Sequence, residues 1–233
     1  MAATGAIAGW CYRSGVPTIR GVIFDLDGTL VDSNDAHVLA WVEALAEFGW
    51  TVTQEQVRPL VGMGGDKLLP ALVGVAAAGP EGHPVLKRRQ ALIARFVPQL
   101  RLFRGGAALL DALRRRGLRL ALASSGTRPE VDRLLALGSL ERSFDAIVSA
   151  DEAARSKPDP DIVEAARAAL ELPASEVVMI GDTHYDLEAA RRAGIATLAF
   201  RCGGAPEASF AGAVAIYDGP ADLLANLDRS PPV

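Results

Sequence analysis

Residues 22–33 read VIFDLDGTLVDS, in which a run of apolar side chains passes directly into two carboxylates, Asp25 and Asp27. Three consecutive apolar residues that include β-branched and aromatic side chains are typical of the end of a strand buried on both faces. Asp25 is therefore expected at the carboxyl end of a strand, where ligands bind in open parallel sheets. Gly28 permits the sharp turn that keeps both acids at the sheet edge. Because two acids at i and i+2 on an extended segment repel each other, a cation or a shared proton is needed to hold them.

The six residues from Asp25 to Leu30, DLDGTL, closely resemble the first motif of the haloacid dehalogenase-like phosphohydrolases. The resemblance implies that Asp25 is a nucleophile that forms an aspartyl-phosphate and that Asp27 is a general acid and base. It also implies a Mg²⁺ ion held between Asp25 and the backbone carbonyl of Asp27. The alternative for so short a string is an acidic turn that binds only solvent.

The composition indicates a globular protein with a sizeable core, because half of its 233 residues are hydrophobic. A net charge of -4 argues against nucleic acid as the main partner. Cys11 and Cys202 match no metal-ligand spacing, and no 18 apolar residues run together. We therefore expect a cytoplasmic protein that needs no membrane. The resemblance implies a small phosphorylated metabolite as its partner, and the protein is expected to be a monomer or a homodimer.

The order of patterns predicts an α/β fold with three parts. Residues 1–18 are expected to form a flexible tail, and residues 34–102 carry helical patterns that no strand pattern interrupts. From Gly105 onward, helices and strands alternate, which predicts a parallel sheet with right-handed crossovers. The prediction is thus a Rossmann-like parallel sheet core, formed by 19–33 and 103–233, with an inserted all-helical domain at 34–102. In the resembling family such an insertion is a cap that closes over the site.

Two further motifs place polar groups after the later strands. Ser124, Ser125 and Gly126 follow the predicted strand 118–123, where a hydroxyl and consecutive backbone N–H groups can hold a phosphate. Ser124 matches the second motif of the family, whose hydroxyl contacts the transferring phosphoryl, although a serine in this place is also a common helix cap. Lys157 precedes Pro158 and matches the third motif, whose lysine neutralises the nucleophile and the phosphoryl oxygens; the alternative is a solvated surface lysine.

The segment 177–186, VVMIGDTHYD, repeats the arrangement of the first motif, because a buried strand again ends in an acid. Hard carboxylate oxygens suit Mg²⁺. Asp182 matches the direct metal ligand of the family and Asp186 the supporting acid, so the predicted metal residues are Asp25, Asp27, Asp182 and Asp186. For Asp186 alone, a charge favoured by the helix N-terminus is an equal alternative.

The resemblance implies a Mg²⁺-dependent phosphatase that hydrolyses a small phosphate monoester, of the phosphoglycolate or sugar phosphate type, through an aspartyl-phosphate. Asp27 argues against the dehalogenase branch, which lacks this second acid. A mutase resembling β-phosphoglucomutase stays open, because His37 stands where such enzymes carry a histidine, but Gly181 departs from the Glu-Asp pair of those mutases. A non-catalytic scaffold also stays open, although the intact acids argue against it.

Two residues of the insertion are candidates for substrate binding, His37 and Lys67. Lys67 follows the glycine-rich loop 62–65, which can approach the site closely. It is expected either to recognise a substrate carboxylate or phosphate or to be a surface residue. A third possibility is the Schiff-base amine of phosphonoacetaldehyde hydrolases, which the rest of the chain resembles less.

Overall fold

The computed structural model describes residues 18–229, and its sheet consists of six parallel strands in the order β3-β2-β1-β4-β5-β6. The strands are β1 Gly21–Phe24, β2 Arg119–Ala123, β3 Ala146–Val148, β4 Val177–Gly181, β5 Ala196–Phe200 and β6 Ala215–Tyr217. This order reverses between β1 and β4, and the crevice outside the carboxyl ends of the strands at such a point is the usual ligand site of open α/β sheets. The predicted α/β class with a Rossmann-like parallel sheet is confirmed.

The central strands are continuous apolar runs because both faces of the sheet are covered. In β1, Val22 and Phe24 pack into one hydrophobic cluster, whereas Ile23 points to the opposite face and packs into a second cluster. In β4, Ile180 joins the first cluster and Met179 the second. Successive side chains of a strand point to opposite faces, so a strand buried on both sides needs an apolar residue at every position.

Residues 34–102, which the structure describes throughout, contain helices and no strand between β1 and the remainder of the sheet. The helices are α1 Asn34–Glu47, α2 Gln54–Val57, α3 Gly65–Val73 and α4 Gly82–Phe96, with short 3-10 helices at Arg58–Leu60 and Val97–Gln99. An isolated bridge joins Val31 to Leu102 where the chain leaves and rejoins the sheet. The division into a core and a cap domain remains a prediction, and most of the predicted 1–18 tail lies outside the described residues.

Five helices connect and flank the later strands: α5 Gly106–Arg115, α6 Arg128–Ala136, α7 Asp161–Ala169, α8 His184–Arg192 and α9 Pro220–Asn226. The predicted alternation after Gly105 is present, although the sequence pattern did not indicate α9. Among the described residues, no helix combines the length and apolar character needed to cross a membrane.

Two helix starts differ from those that the sequence pattern predicts. The pattern of Gly74 to Pro84 predicts a break, but α4 begins at Gly82, and Pro84 lies in its first turn, where a missing N–H breaks no helical hydrogen bond. Pro158 and Pro160 predict a helix from about Asp159, but α7 begins at Asp161. Ser33 is predicted to cap α1 and does occupy its N-cap position, but its hydroxyl makes no cap bond and instead donates to Asp27.

Candidate active site

Two predicted acids meet at the crevice because their strands are neighbours. Asp25 directly follows β1 and Asp182 directly follows β4, and these strands pair in register from Gly21 to Phe24. The Asp25 backbone N–H donates to the Ile180 carbonyl at 2.9 Å, which continues the ladder as far as the site. The local strand pattern therefore fixes where both carboxylates emerge.

Three carboxylates form one buried group at this edge of the sheet. Oxygen atoms of Asp25, Asp182 and Asp186 lie within 4.8 Å of one another, and each residue is at most 6% exposed. Lys157 lies beside them, fully buried, with its Nζ 2.6 Å from Asp25 Oδ1 and 2.8 Å from Asp186 Oδ1. The structure thus brings together four residues from three separate parts of the sequence.

The charges of this group fit a divalent cation. Three ionised carboxylates and one ammonium leave an excess of two negative charges in a buried site. The Thr29 hydroxyl lies 3.1 Å from Asp25 and 3.2 Å from Asp182, but its single proton can serve only one of them at a time. Mg²⁺ takes one or two carboxylates together with water and substrate oxygens, so Asp25 and Asp182 suit it as ligands.

The pKa values of the acids reflect this uncompensated charge. Burial, followed by the like charges of Asp186 and Asp27, raises the pKa of Asp25 to about 7 against the opposing effect of Lys157. Burial and the neighbouring Asp25 also raise the pKa of Asp182 well above its usual range. Burial alone would lower the pKa of Lys157, but Asp186 and Asp25 raise it, so the ammonium stays charged.

Close packing holds Asp182 in place. Asn34, the first residue of α1, donates to Asp182 Oδ2 at 2.9 Å and to the Gly203 carbonyl at 2.8 Å. A Cβ atom at Gly28, which has φ +75°, would lie 2.1 Å from that carboxylate oxygen, and one at Gly203 would lie 1.8 Å from it. Gly28 is therefore needed for both its turn and this approach. The predictions did not include Thr29, Asn34 or Gly203.

Asp186 is held as a support for Lys157. One of its oxygens accepts from Lys157, and the other accepts from the Thr183 backbone N–H at 3.0 Å and the Thr183 hydroxyl at 2.7 Å. Asp186 also closes a capping box at the start of α8. Asp186 therefore caps a helix, as one of the two alternatives expected, and also lies in the buried acidic group; its role toward a metal stays a prediction.

The Asp27 carboxylate lies apart from that group, although it was predicted among the metal residues. Its Oδ1 accepts from the Ser33 hydroxyl at 2.5 Å and from His37 Nε2 at 2.6 Å. Burial opposes ionisation, but His37, Ser33 and Arg89 together lower the pKa of Asp27 to about 2. The buried cluster of possible metal ligands contains Asp25, Asp182 and Asp186 but not the Asp27 side chain, so a metal role of Asp27 would rest on its backbone carbonyl.

A chain of hydrogen bonds connects Asp27 to the opposite side of the site. Arg89 of α4 donates to His37 Nδ1 and to Glu130 of α6. Because a guanidinium can only donate, His37 Nδ1 accepts from Arg89, and the hydrogen on His37 Nε2 faces Asp27. Sequence reasoning missed Arg89 and Glu130, since neither belongs to a motif.

The predicted phosphate loop follows β2. Ser124 is 1% exposed, and its hydroxyl oxygen accepts from the Gly126 backbone N–H at 3.1 Å. The hydroxyl of Ser125 is buried and has no hydrogen-bond partner among the described residues. Ser125 and Gly126 line the same small cavity as Asp25, Asp27 and His37.

Lys67 lies away from this cavity. Its Nζ donates to Asp159 and to the Ser156 carbonyl, so it joins α3 to the segment that carries Lys157. The neighbouring Gly64 N–H donates to the Ser156 hydroxyl at 3.2 Å. Among the described residues, Lys67 does not line the cavities at the site. Lys67 therefore links the insertion to the sheet. Neither recognition of a substrate nor Schiff-base chemistry would require these contacts.

Comparison with known proteins identifies the family. The model of the haloacid dehalogenase-like hydrolase family matches residues 22–200. Protein CbbY of Cereibacter sphaeroides is 32% identical over 92% of this chain and 99% of its own length. N-acetylmuramic acid 6-phosphate phosphatase of Pseudomonas aeruginosa is 33% identical over 91% of this chain and 96% of its own. The crystal structure of a hydrolase from Pseudomonas syringae matches with a TM-score of 0.85 at 31% identity, over 90% of this chain and 98% of that one. With these matches and four motifs at one sheet edge, the chain belongs to the haloacid dehalogenase-like hydrolases.

Proposed function

We propose that the chain is a Mg²⁺-dependent phosphatase that hydrolyses a small phosphate monoester through an aspartyl-phosphate. The observation that carries the proposal is the buried group of Asp25, Asp182, Asp186 and Lys157, with its excess of negative charge at the carboxyl ends of β1 and β4. The relatives support it, since one of them is the N-acetylmuramic acid 6-phosphate phosphatase of Pseudomonas aeruginosa.

The buried group addresses the main obstacle to phosphate ester hydrolysis, which is the repulsion between an anionic nucleophile and an anionic substrate. Asp25 and Asp182 would hold Mg²⁺, which when bound neutralises negative charge on these carboxylates and on the substrate. Lys157 neutralises one oxygen of Asp25, and Asp186 fixes the position of the ammonium. The hydroxyl of Ser124 and the backbone of the 124–126 loop bind phosphoryl oxygens.

The reaction then proceeds in two steps on the side chains of this protein. A carboxylate oxygen of Asp25 attacks phosphorus, the bond to the ester oxygen breaks, and Asp27 gives that oxygen a proton. In the second step Asp27 takes a proton from water, the water oxygen bonds to phosphorus, and the bond between phosphorus and Asp25 breaks. His37 and Ser33 both contact Asp27 Oδ1, so the proton transfer falls to Asp27 Oδ2.

The proposal is tested by hydrolysis of p-nitrophenyl phosphate with Mg²⁺ or with EDTA. Asp25→Asn removes the nucleophile while keeping its shape, so kcat is expected to fall about 1,000-fold or more without loss of the folded state. Asp32→Asn is the matched control, because Asp32 lies on the same segment but is exposed. Wild-type activity in Asp25→Asn, or full activity in EDTA, would contradict the proposal.

A further inference from the structure

The space available to the leaving group lies between the helical insertion and the sheet. A cavity of about 220 Å³ there is below the roughly 300–1,000 Å³ of typical drug-sized ligand sites. It shares Trp41, Gly65, Arg89 and Ser125 with the smaller cavity that contains Asp25 and Asp27. The alcohol part of an ester bound at Asp25 therefore extends into it.

The charges on this cavity do not suit a second anion. Arg89 is the only lysine or arginine among the described residues that line either cavity. It is already paired with Glu130, and their side chains are 13% and 6% exposed. The larger cavity is also lined by Asp66, whose carboxylate accepts from the Ser156 hydroxyl. A leaving group in this cavity therefore meets the Arg89–Glu130 pair, whose charges cancel, and the negative charge of Asp66.

The cavity is instead lined by uncharged polar side chains, among them those of Gln90 and Thr127. An amide and a hydroxyl both donate and accept hydrogen bonds, a combination that ligand hydroxyls satisfy.

We propose that the preferred substrate is the phosphate ester of an uncharged polyol or sugar, and that esters carrying a second carboxylate or phosphate are disfavoured. The inference rests on the proposed phosphatase function and narrows its substrate class. It separates the two expectations drawn from the sequence, since it favours sugar phosphates over phosphoglycolate. The Glu130 carboxylate is the specificity element, because it neutralises the cation that would otherwise attract an anionic leaving group.

Matched probes that differ in one charged group test this inference. We would measure kcat/KM by phosphate release for glycerol 1-phosphate against 3-phosphoglycerate, and for sorbitol 6-phosphate against 6-phosphogluconate, two open-chain esters that differ only at C1. In each pair the ester whose alcohol part carries no charge is expected to be favoured about tenfold or more in kcat/KM, because like charges at a buried site are strongly unfavourable. Glu130→Gln keeps an acceptor for the start of α6 but frees the charge of Arg89, and it is expected to bring the ratio close to one, mainly through a lower KM for the anionic member.

Glu47→Gln is the control variant. Glu47 pairs with Arg88, the neighbour of Arg89, but both side chains are more than a third exposed and neither residue lines the cavities. Its ratio should equal that of the wild type. Preference of the wild type for the anionic members would overturn the inference even if Glu130→Gln fails to fold, and so would an unchanged ratio in a folded Glu130→Gln. Both results leave the phosphatase function standing, whereas no hydrolysis of any probe or of p-nitrophenyl phosphate would overturn that function and this inference together.

Discussion

Asp25 and Asp27 show that neighbouring groups set the chemistry of an acid. They are two positions apart, but the pKa of Asp25 is raised to about 7 by burial, whereas that of Asp27 is lowered to about 2 by its surroundings. The proposed roles need the reverse protonation, with an ionised nucleophile and a protonated acid, so binding of Mg²⁺ and of the anionic substrate must lower the pKa of Asp25 and raise that of Asp27. In this chain, Asp25 faces Lys157 and the other acids, and Asp27 faces His37.

The role proposed for Asp27 predicts a dependence on the leaving group. Asp27→Asn removes the proton donor, so kcat/KM for an alkyl phosphate should fall at least about 100-fold, and the rate of aryl phosphate cleavage should fall less, because a phenolate leaves without protonation. Phosphate release from glycerol 1-phosphate and burst kinetics with p-nitrophenyl phosphate measure the two cases. Equal losses for both esters would remove Asp27 from the role of general acid.

The raised pKa of Asp25 predicts how pH and Mg²⁺ change stability. Without the metal, the folded protein keeps a proton on Asp25 between its ordinary value of 3.8 and about 7, whereas the unfolded chain has lost that proton. Stability therefore falls as pH rises through this window. The effect of Asp27 on stability has the opposite pH dependence, because its pKa is lowered on folding. Its stabilising contribution is lost only as pH falls from about 4 towards 2, which is outside the window of Asp25.

Because Mg²⁺ favours the ionised acids, it should raise Tm more at about pH 7.5 than at about pH 5. Thermal unfolding with millimolar Mg²⁺, against sodium chloride of equal ionic strength, measures this difference. Asp182→Asn should have a higher Tm than the wild type in EDTA at about pH 7.5 and should respond little to Mg²⁺. An equal Mg²⁺ effect at both pH values, or in both proteins, would count against the metal site.

Residue positions after strands could be predicted from the sequence because the carboxyl ends of parallel strands share one edge. That logic found Asp25, Asp182, Ser124 and the region of Lys157. It could not find Asn34, Arg89 or Glu130, whose contacts depend on how the insertion lies against the sheet. For Lys67 it left substrate recognition and a surface position both open, because a glycine-rich loop indicates close approach without saying what is approached.

At the scale of elements, hydrogen bonds join the start of α3 to the segment before α7. Gly64 and Lys67 contact Ser156, and Lys67 pairs with Asp159, with side chains 25% and 19% exposed. Because Lys157 follows Ser156, these bonds connect the insertion to the segment that neutralises Asp25. Sequence patterns located both segments but not their contact, since 89 residues separate Ser156 from Lys67.

The pair of Lys67 and Asp159 predicts energetic coupling between the insertion and the sheet. Lys67→Met, Asp159→Asn and the double variant should give a coupling of about 0.5–1 kcal/mol in the free energy of unfolding, a modest value because the pair is partly exposed. The double variant is needed because Asp159 also contacts Arg155 and Arg192. Urea unfolding measures the cycle, and Arg58→Met, which removes an exposed pair with Asp35, is the control.

Fully additive effects in that cycle would show that Lys67 is a solvated surface residue. Kinetics of Lys67→Met provide a second readout. If Lys67 joins the insertion to the sheet, this variant should change KM for small esters, while p-nitrophenyl phosphate turnover stays near the wild-type value. Formation of a borohydride-reducible adduct of phosphonoacetaldehyde at Lys67 would instead support the Schiff-base alternative.

Over the whole molecule, one hydrophobic cluster runs through the insertion and the sheet. It contains Trp41 and Leu92 of the insertion as well as Phe24 and Ile180 of the sheet. A shared apolar core favours cooperative unfolding, so the two parts should not melt separately. The strand and helix patterns predicted each part of the fold, but this continuity depends on tertiary packing and had no sequence signal.

Unfolding in urea should therefore give coincident transitions by tryptophan fluorescence and by far-ultraviolet circular dichroism. Trp41 and Trp50 report on the insertion once Trp10, the third tryptophan of the sequence, is replaced by Phe, whereas circular dichroism reports on the entire chain. The measurement belongs in EDTA, so that metal binding does not contribute. A fluorescence transition at clearly lower urea would show that the insertion unfolds on its own and would support an independent cap domain.

The central claim is that Asp25 carries the phosphoryl group during turnover. Borohydride reduces an acyl phosphate to an alcohol, so adding it to the enzyme during steady-state turnover of p-nitrophenyl phosphate with Mg²⁺ should convert Asp25 to homoserine. Peptide mass spectrometry locates the change, and Asp25→Asn with substrate or wild type without substrate provides the controls. We predict homoserine at position 25 only in the wild type with substrate, and in neither control. Sustained turnover with Asp25 unmodified, or modification at a different residue, would contradict the proposed mechanism.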